Sequence, residues 1–367
     1  MRRPTVLHCV NEWGVPSQRF VRDLVTNTTS THAVVASQRV APDAEPSSVR
    51  VWREPAVVTR LGRRTELAWL ATVAAGTRAR ILHAHLGYWA GTVGRVADRL
   101  HRPWVLSLHG HDLLVRARRL ADPSPLRRAD LVIVPSAFMA DAAVAFGIPE
   151  SRVRVIPSGI DLARVAFRER TPNPDGTVTV LFVGRFVDKK GAVDAASTVA
   201  RVARDRPHLR ARFVGYGEQR DAVAAVLAPL GDRAEIIDGR MAGAVVEALA
   251  DAHILISPSH TAPDGDAETL SVVNLEAQAA GLPVVTTRHG GIPDAVTPDS
   301  AILVDENDSD ALTDALIAVV DSPERWPLMG AAGRRHVEAR FELHARTADV
   351  EAQYLALLDG RQRAGDR

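Results

Sequence analysis

The sequence predicts an α/β protein made of two doubly wound, largely parallel-sheet domains facing a central cleft. Three observations carry this. Short β-branched runs alternate with longer helix-period stretches almost from end to end, the pattern of βαβ units. The chain has 367 residues, room for two domains at about 150 each. The alternation halts once, over residues 168–176, and then restarts.

In the first half, strands are expected at Thr5–Val10, His32–Ser37, Val49–Trp52, Arg80–His85, Trp104–Leu108, Leu131–Pro135 and Val153–Ile156. Each is too short for a helix and rich in Val, Ile, Leu or aromatic residues. Helical spacing falls at Phe20–Val25, Glu66–Ala75, Thr92–Leu100 and Ala137–Phe146. The charged, Pro- and Gly-containing stretch Arg168–Gly176 has no apolar period and reads as an interdomain linker. Beyond it, strands are expected at Val178–Val183, Ala211–Val214, Glu235–Ile237, Ile254–Ser257, Val284–Thr286 and Ile302–Val304. Long helical stretches, Pro327–Phe341 and His344–Leu358, close the chain. The division is therefore drawn as residues 1–167 and 168–342, with a terminal helix over about 343–367 that can pack back on the first domain.

Composition narrows the function. Lys plus Arg total 45 and Asp plus Glu 44, a formal charge of +1, without the one-signed field a nucleic-acid binder spreads over its surface. No nucleic-acid partner is expected. With 46% hydrophobic and 24% charged residues the chain can bury a core, and its 25 Gly and 22 Pro exclude long disorder and collagen-like repeats. The one cysteine, Cys9, can form neither an internal disulfide nor a cysteine zinc cage. Within an expected strand it reads as a small core residue, and a reducing, cytoplasmic compartment fits. The apolar run Val6–Val10 is too short for a secretory signal, and nothing approaches the ~18 apolar residues that cross a bilayer. Peripheral contact with the inner face of a membrane stays open, as does the oligomeric state.

Ligands of such folds bind at the carboxyl ends of the strands. One such end reads Val183-Gly184-Arg185-Phe186-Val187-Asp188-Lys189-Lys190-Gly191. Two glycines bracket Arg185 and Lys190, which could grip a diphosphate through one forked and one point-like donor. The alternative is two surface charges flanking a turn. The order of a P-loop is absent. A second element runs from Asp264 to Glu276. Glu268 stands at a helix entrance near Leu270 and Glu276 two turns on, about 12 Å along the axis. That exceeds the ~5–9.5 Å of a glycosidase carboxyl pair. It suits one long ligand with hydroxyls at each end and an anion between them over the helix N-terminus, the shape of a sugar nucleotide. A solvated helix face is the other reading of Glu276, although Leu275, Ala277, Ala279 and Ala280 make that helix largely apolar.

Rival patterns are weaker. Gly215-x-Gly217 with Asp238 imitates a dinucleotide fingerprint, but position 220 is Arg where the third Gly belongs. His109-x-His111-Asp112 could ligate a metal, and Asp264-x-Asp266 has the form used by metal-dependent transferases of another fold, yet two acids without a further ligand cluster make the second signal weak, and doubly wound halves do not suit that other fold. No metal and no cofactor are expected. His83, His85 and His111 read as packed or hydrogen-bonded structural residues.

Gly184-Arg185 with Lys190-Gly191, then Glu268-x7-Glu276, Ala280-Gly281-Leu282-Pro283-Val284-Val285-Thr286-Thr287 and His289-Gly290-Gly291-Ile292-Pro293-Asp294, in this order and spacing, resemble retaining glycosyltransferase family 4. That family has the GT-B fold, two Rossmann-like doubly wound domains. The likeness covers almost the whole second half, and the first half matches more loosely. Val15-Pro16-Ser17-Gln18-Arg19-Phe20-Val21 looks like the subset acting in exopolysaccharide assembly, and small natural products are a further acceptor class.

The resemblance implies that Arg185 and Lys190 bind the donor diphosphate beside Gly184 and that Glu276 holds the ribose hydroxyls. It gives Glu268 and the amides of Thr269, Leu270 and Ser271 to the donor sugar and phosphates. Gly215, Gly217, Arg240 and Met241 would line the nucleotide pocket, Gly14 would be the flexible glycine near the phosphates, and His109 would stand beside the reacting sugar. Relatives usually carry Gly where Thr269 stands, and often a second glycine near Gly14. The implied reaction moves a hexose from a nucleoside-diphosphate sugar, UDP in preference to GDP, to an acceptor hydroxyl bound by the first domain. The acceptor would be a polysaccharide, a glycolipid or a small natural product. A sugar-nucleotide epimerase of the same fold and a non-catalytic sugar-nucleotide-binding protein are the alternatives.

Overall fold

The computed structural model describes residues 3–15, 18–42, 48–117, 124–241 and 243–365, with side chains as far as residue 360. The chain forms two compact units, Met1–Gly159 with Leu343–Arg367, and Ile160–Glu342.

In the first unit β1 (Thr5–Trp13) leads to α1 (Arg19–Thr26), β2 (His32–Val40), β3 (Arg50–Arg53), α2 (Ala56–Leu61), α3 (Arg63–Gly76), β4 (Ile81–His85), α4 (Ala90–Arg99), β5 (Trp104–Ser107), β6 (Leu131–Val134), α5 (Ala137–Ala145) and β7 (Val153–Val155). The sheet order is β3-β2-β1-β4-β5-β6-β7, parallel throughout. Parallel pairing carries β1 to Trp13, opposite Val40, beyond Val10 where its apolar run stops. The short helix α2 buries none of its residues, so no apolar period announces it.

The second unit repeats the plan with β8 (Val178–Val183), α6 (Ala192–Val202), β9 (Leu209–Gly215), α7 (Arg220–Leu227), β10 (Ala234–Asp238), α8 (Ala244–Asp251), β11 (Ile254–Ser257), α9 (Val272–Ala280), β12 (Val284–Thr287), α10 (Ile292–Ala295), β13 (Ala301–Val304), α11 (Ser309–Val320) and α12 (Trp326–Phe341). Its parallel order is β10-β9-β8-β11-β12-β13. Along β8, Val178, Val180 and Phe182 enter one core with α6, α7 and α11, while Leu181 enters the opposite core with α8, α9 and α12. The two-residue period of a strand covered on both faces explains its continuous apolar sequence. The order reverses at β8, between β9 and β11, and such a switch point is where an open α/β sheet leaves a crevice.

The last helix, α13 (Leu343–Gly365), belongs to the first unit. Val350, Tyr354 and Leu358 pack with Val6, Ile81, Val105 and Ile133. The Glu351 carboxylate accepts from the amides of Thr29, Ser30 and Thr31 at 3.0, 2.9 and 2.7 Å. It thereby ties the helix to the turn between α1 and β2. Burial works to raise the Glu351 carboxyl, but these amides and the Thr31 hydroxyl hold it below the usual carboxylate range.

Two expectations need correction. Residues 168–176 are not a free linker. Arg170 is 5% exposed, and its guanidinium donates to the carbonyls of Leu249, Ala250, Ala252 and Ala280 at 3.0, 2.7, 3.0 and 2.6 Å. Those carbonyls lie at the carboxyl ends of α8 and α9, where helix oxygens lack internal partners. Arg170 thus anchors the otherwise largely exposed stretch to two helix ends, and residues 160–167 also belong to the second unit. His111, expected among the structural histidines, is exposed.

Candidate functional site

At the carboxyl edge of the second sheet, the loops after β8, β11, β12 and β13 converge on Glu268. A Cβ on Gly215, at the end of β9, would lie 1.9 Å from the Gly184 oxygen. Only glycine therefore lets these two strand ends meet backbone to backbone. Gly217 follows at φ +150°, against the backbone of Phe186. Past Gly184 the chain turns into a short 3-10 turn, Asp188–Lys190, that presents both lysines.

Lys190 Nζ lies 2.8 Å from Glu268 Oε1. Lys189 Nζ lies 2.8 Å from Asp266 Oδ2 and 3.8 Å from Glu268 Oε1. Glu268 is 7% exposed. Burial alone would raise its carboxyl, but Lys190 and Lys189 outweigh it and hold the group below the usual range. Glu268 is therefore a carboxylate at neutral pH. Arg185 stands exposed at the same strand exit.

The backbone of Glu268 is held from the other side. Its N–H donates to His289 Nε2 at 3.0 Å, and its carbonyl accepts from the Gly291 amide at 2.9 Å. Gly290, between them, has φ +51°, and a Cβ there would lie 2.0 Å from the Glu268 oxygen. His289 Nδ1 faces Glu306 Oε1 at 2.8 Å. Glu306 Oε2 in turn accepts from the Thr261 amide at 2.7 Å and its hydroxyl at 3.0 Å.

Beyond Glu268, Thr269 is half-buried, Leu270 is buried, and Ser271 is the N-cap of α9. The Ser271 side chain makes no capping bond. Ser271 Oγ and Asn274 Oδ1 are buried without a hydrogen-bond partner among the described residues. The leading amides of α9 thus keep their partial positive charge available to an anion. Glu276 is half-buried on the second turn.

After β9 and β10, Tyr216 is 36% and Met241 62% exposed. The Arg240 guanidinium lies 5.3 Å from the Tyr216 ring centroid and pairs with Asp238 at 2.5 Å. Hydrogen bonds from Arg240 bring the Asp238 carboxyl down to about 2. Asp238 is thus paired with Arg240 at the exit of β10. The cation beside Asp266 is the Lys189 ammonium.

In the first unit, Asp112 accepts from the amides of Gly87, His109 and Gly110 at 3.0, 3.1 and 2.9 Å. It thereby organises the loop. The His109 ring lies 4.4 Å from the Phe20 ring and lines a small cavity with His85 and Ser107. Burial lowers its pKa to about 4, so His109 is neutral at pH 7. Gly14 turns the chain at φ +87° after β1. Pro16 and Ser17, within the Val15–Val21 motif, lie outside the described residues.

Among the described residues the one histidine or acid group with metal-ligand closeness is His8, His83 and His85. These rings are engaged with one another and with hydroxyls: His8 Nδ1 to His85 Nε2 at 3.0 Å, and His83 to Tyr354 and Ser107 at 2.6 and 2.8 Å. They and the buried Cys9 are core residues. The structure thus joins Lys190 to Glu268 and Gly184 to Gly215, and leaves Gly14 and His109 in the other unit. Sequence reasoning passed over Lys189, His289, Thr261 and Glu306. His289 lies in a recognised motif that assigned it no role, and Glu306 carries no local signal.

The glycosyl transferases group 1 family matches residues 164–336, and glycosyltransferase family 4 matches residues 18–164. A GDP-mannose-dependent alpha-(1-6)-phosphatidylinositol monomannoside mannosyltransferase of Mycolicibacterium smegmatis is 31% identical over 85% of this chain and 82% of its own length. A GDP-mannose-dependent monoacylated alpha-(1-6)-phosphatidylinositol monomannoside mannosyltransferase of Corynebacterium glutamicum is 32% identical over 51% of each chain. The match thus spans about half of that relative's length. The solved structure of Anabaena HepE in complex with UDP-glucose superimposes with a TM-score of 0.77 over 96% of this chain and 99% of that one. At 18% identity this is a likeness of fold. No helix among the described residues is long and apolar enough to cross a membrane.

Proposed function

The chain belongs to the group 1 and family 4 glycosyltransferases, with the GT-B fold, and from that premise we propose that it is a retaining hexosyltransferase. It moves the sugar of a nucleoside-diphosphate sugar to an acceptor hydroxyl on a polysaccharide, a glycolipid or a small natural product. The observation that carries this reading is the buried Glu268 carboxylate held at 2.8 Å by Lys190, next to the uncapped N-terminus of α9.

In this reading the bond from the anomeric carbon to the diphosphate oxygen breaks, and negative charge grows on the phosphate. Lys190, Arg185 and the first amides of α9 stabilise that charge more in the transition state than in the ground state. The acceptor oxygen bonds to the anomeric carbon from the face the diphosphate leaves, and its proton passes to a phosphate oxygen. Glu268 holds sugar hydroxyls and Glu276 the ribose. His109, as a neutral imidazole, orients the sugar. Tyr216, Arg240 and Met241 offer the base a flat, partly apolar surface. The reaction calls for no cofactor beyond the sugar nucleotide.

A uridine donor is the preferred reading. The two mannosyltransferase relatives named above are GDP-mannose-dependent, so a guanosine donor enters the same test. Thermal-shift screening against UDP, GDP and their sugars identifies the base, since a tight ligand raises the melting temperature by mass action. Incubation with donor and acceptor then yields glycoside plus free nucleoside diphosphate. A new sugar nucleotide alone would mean an epimerase, and no product a binding module. Lys190→Ala is expected to lower turnover by about 10²–10³-fold with the fold intact by circular dichroism. Near-normal transfer would defeat the diphosphate role.

A further inference from the structure

We infer that His289, held by Glu306, is a positioning residue that sets the peptide of Glu268 and so aims its carboxylate at Lys190. This rests on the transferase reading of the Glu268 site. The tautomer follows from the partners. Nε2 accepts the Glu268 N–H at 3.0 Å, so a neutral His289 carries its proton on Nδ1, where Glu306 Oε1 lies at 2.8 Å. Burial would raise the Glu306 carboxyl, but His289 and Thr261 hold it below the usual range. Glu306 Oε1 stands 2.8 Å from Nδ1 outside hydrogen-bond alignment, and its negative charge favours a proton on that nitrogen, which leaves Nε2 to accept.

The ring cannot easily turn to another role, being 1% exposed. Gly291, two residues on, bonds the carbonyl of the same Glu268. One short segment after β12 therefore holds both backbone groups of the residue whose side chain meets the loop after β8. Glu306, after β13, anchors that segment. The loop after β11 has no regular structure between Pro258 and Ser271, so its local dihedrals alone would not place Glu268. Three neighbouring strand ends do so.

Two amide replacements separate the two ring nitrogens. In His289→Gln the side-chain amide reaches the Nε2 position and can still accept from Glu268. In His289→Asn it reaches only the Nδ1 position, keeping Glu306 and leaving the Glu268 N–H without its acceptor. Turnover at saturating donor and acceptor should fall about 10–100-fold in the Asn variant, with the donor KM changed by less than roughly threefold. The Gln variant should stay within roughly fivefold of the parent. Hydrogen exchange at the Glu268 amide, followed by mass spectrometry, should be faster in the Asn variant and near the parent in the Gln variant. Equal losses in both variants, or lower melting temperatures with turnover per folded molecule unchanged, would reduce His289 to packing and overturn the inference. If the parent forms no glycoside, the transferase reading fails instead, and the exchange comparison still decides whether His289 holds Glu268.

Discussion

A carboxylate stripped of water persists only where fixed charge replaces its hydration. Glu268 has two lysines for this, Lys190 at 2.8 Å and Lys189 at 3.8 Å. Glu276, two turns along α9, is half-buried and has a different task in the proposed reaction. Glu276→Ala should weaken nucleoside-diphosphate binding by roughly 10–100-fold, with a smaller effect on turnover at saturation. Unchanged donor affinity by calorimetry would count against the ribose role. At this scale the sequence offered candidates, because strand-exit glycines and the spacing of two acids are local patterns. It was silent on which of them touch. Nothing in the sequence pairs Lys190 with Glu268, which are brought together by β8 and β11 lying side by side.

The elements have their own dependence on charge. Helices α8 and α9 end on one guanidinium, since Arg170 bonds carbonyls from both. Arg170→Met keeps an apolar stem in place of the arginine methylenes but leaves buried carbonyls without donors. It should cost about 2–3 kcal/mol of stability, read as a lower midpoint in chemical denaturation. A variant as stable as the parent would show that water replaces the guanidinium. The existence and order of the strands were legible because a sheet covered on both faces imposes continuous apolar runs, whereas β1 and β2 each run three residues past their expected ends. Arg170 was misjudged because a lone arginine in a polar stretch looks solvated until the helix ends that it caps are in view.

For the whole molecule, the first unit depends on chain that follows the second unit. Glu351 on α13 gathers three amides of the turn after α1, some 320 residues earlier in sequence. Its folded pKa is lowered, so its contribution is complete above the unfolded carboxyl value of about 4.3. That contribution is lost as pH falls through the folded value. Glu351→Gln should therefore destabilise the protein by about 1–3 kcal/mol at pH 7. The gap between variant and parent should close on acidification below about pH 4. A gap independent of pH would remove charge from the account.

The sequence by itself determined the strands and their parallel class and singled out Arg185, Lys190, Glu268 and Glu276 as candidates, because periodicity and strand-exit motifs are properties of contiguous residues. Only the tertiary structure decided that His289 and Glu306 hold Glu268 in place. Their meeting depends on the lateral order β8-β11-β12-β13, which is set by how helices cover the two faces of the sheet. No stretch of neighbouring residues encodes that order.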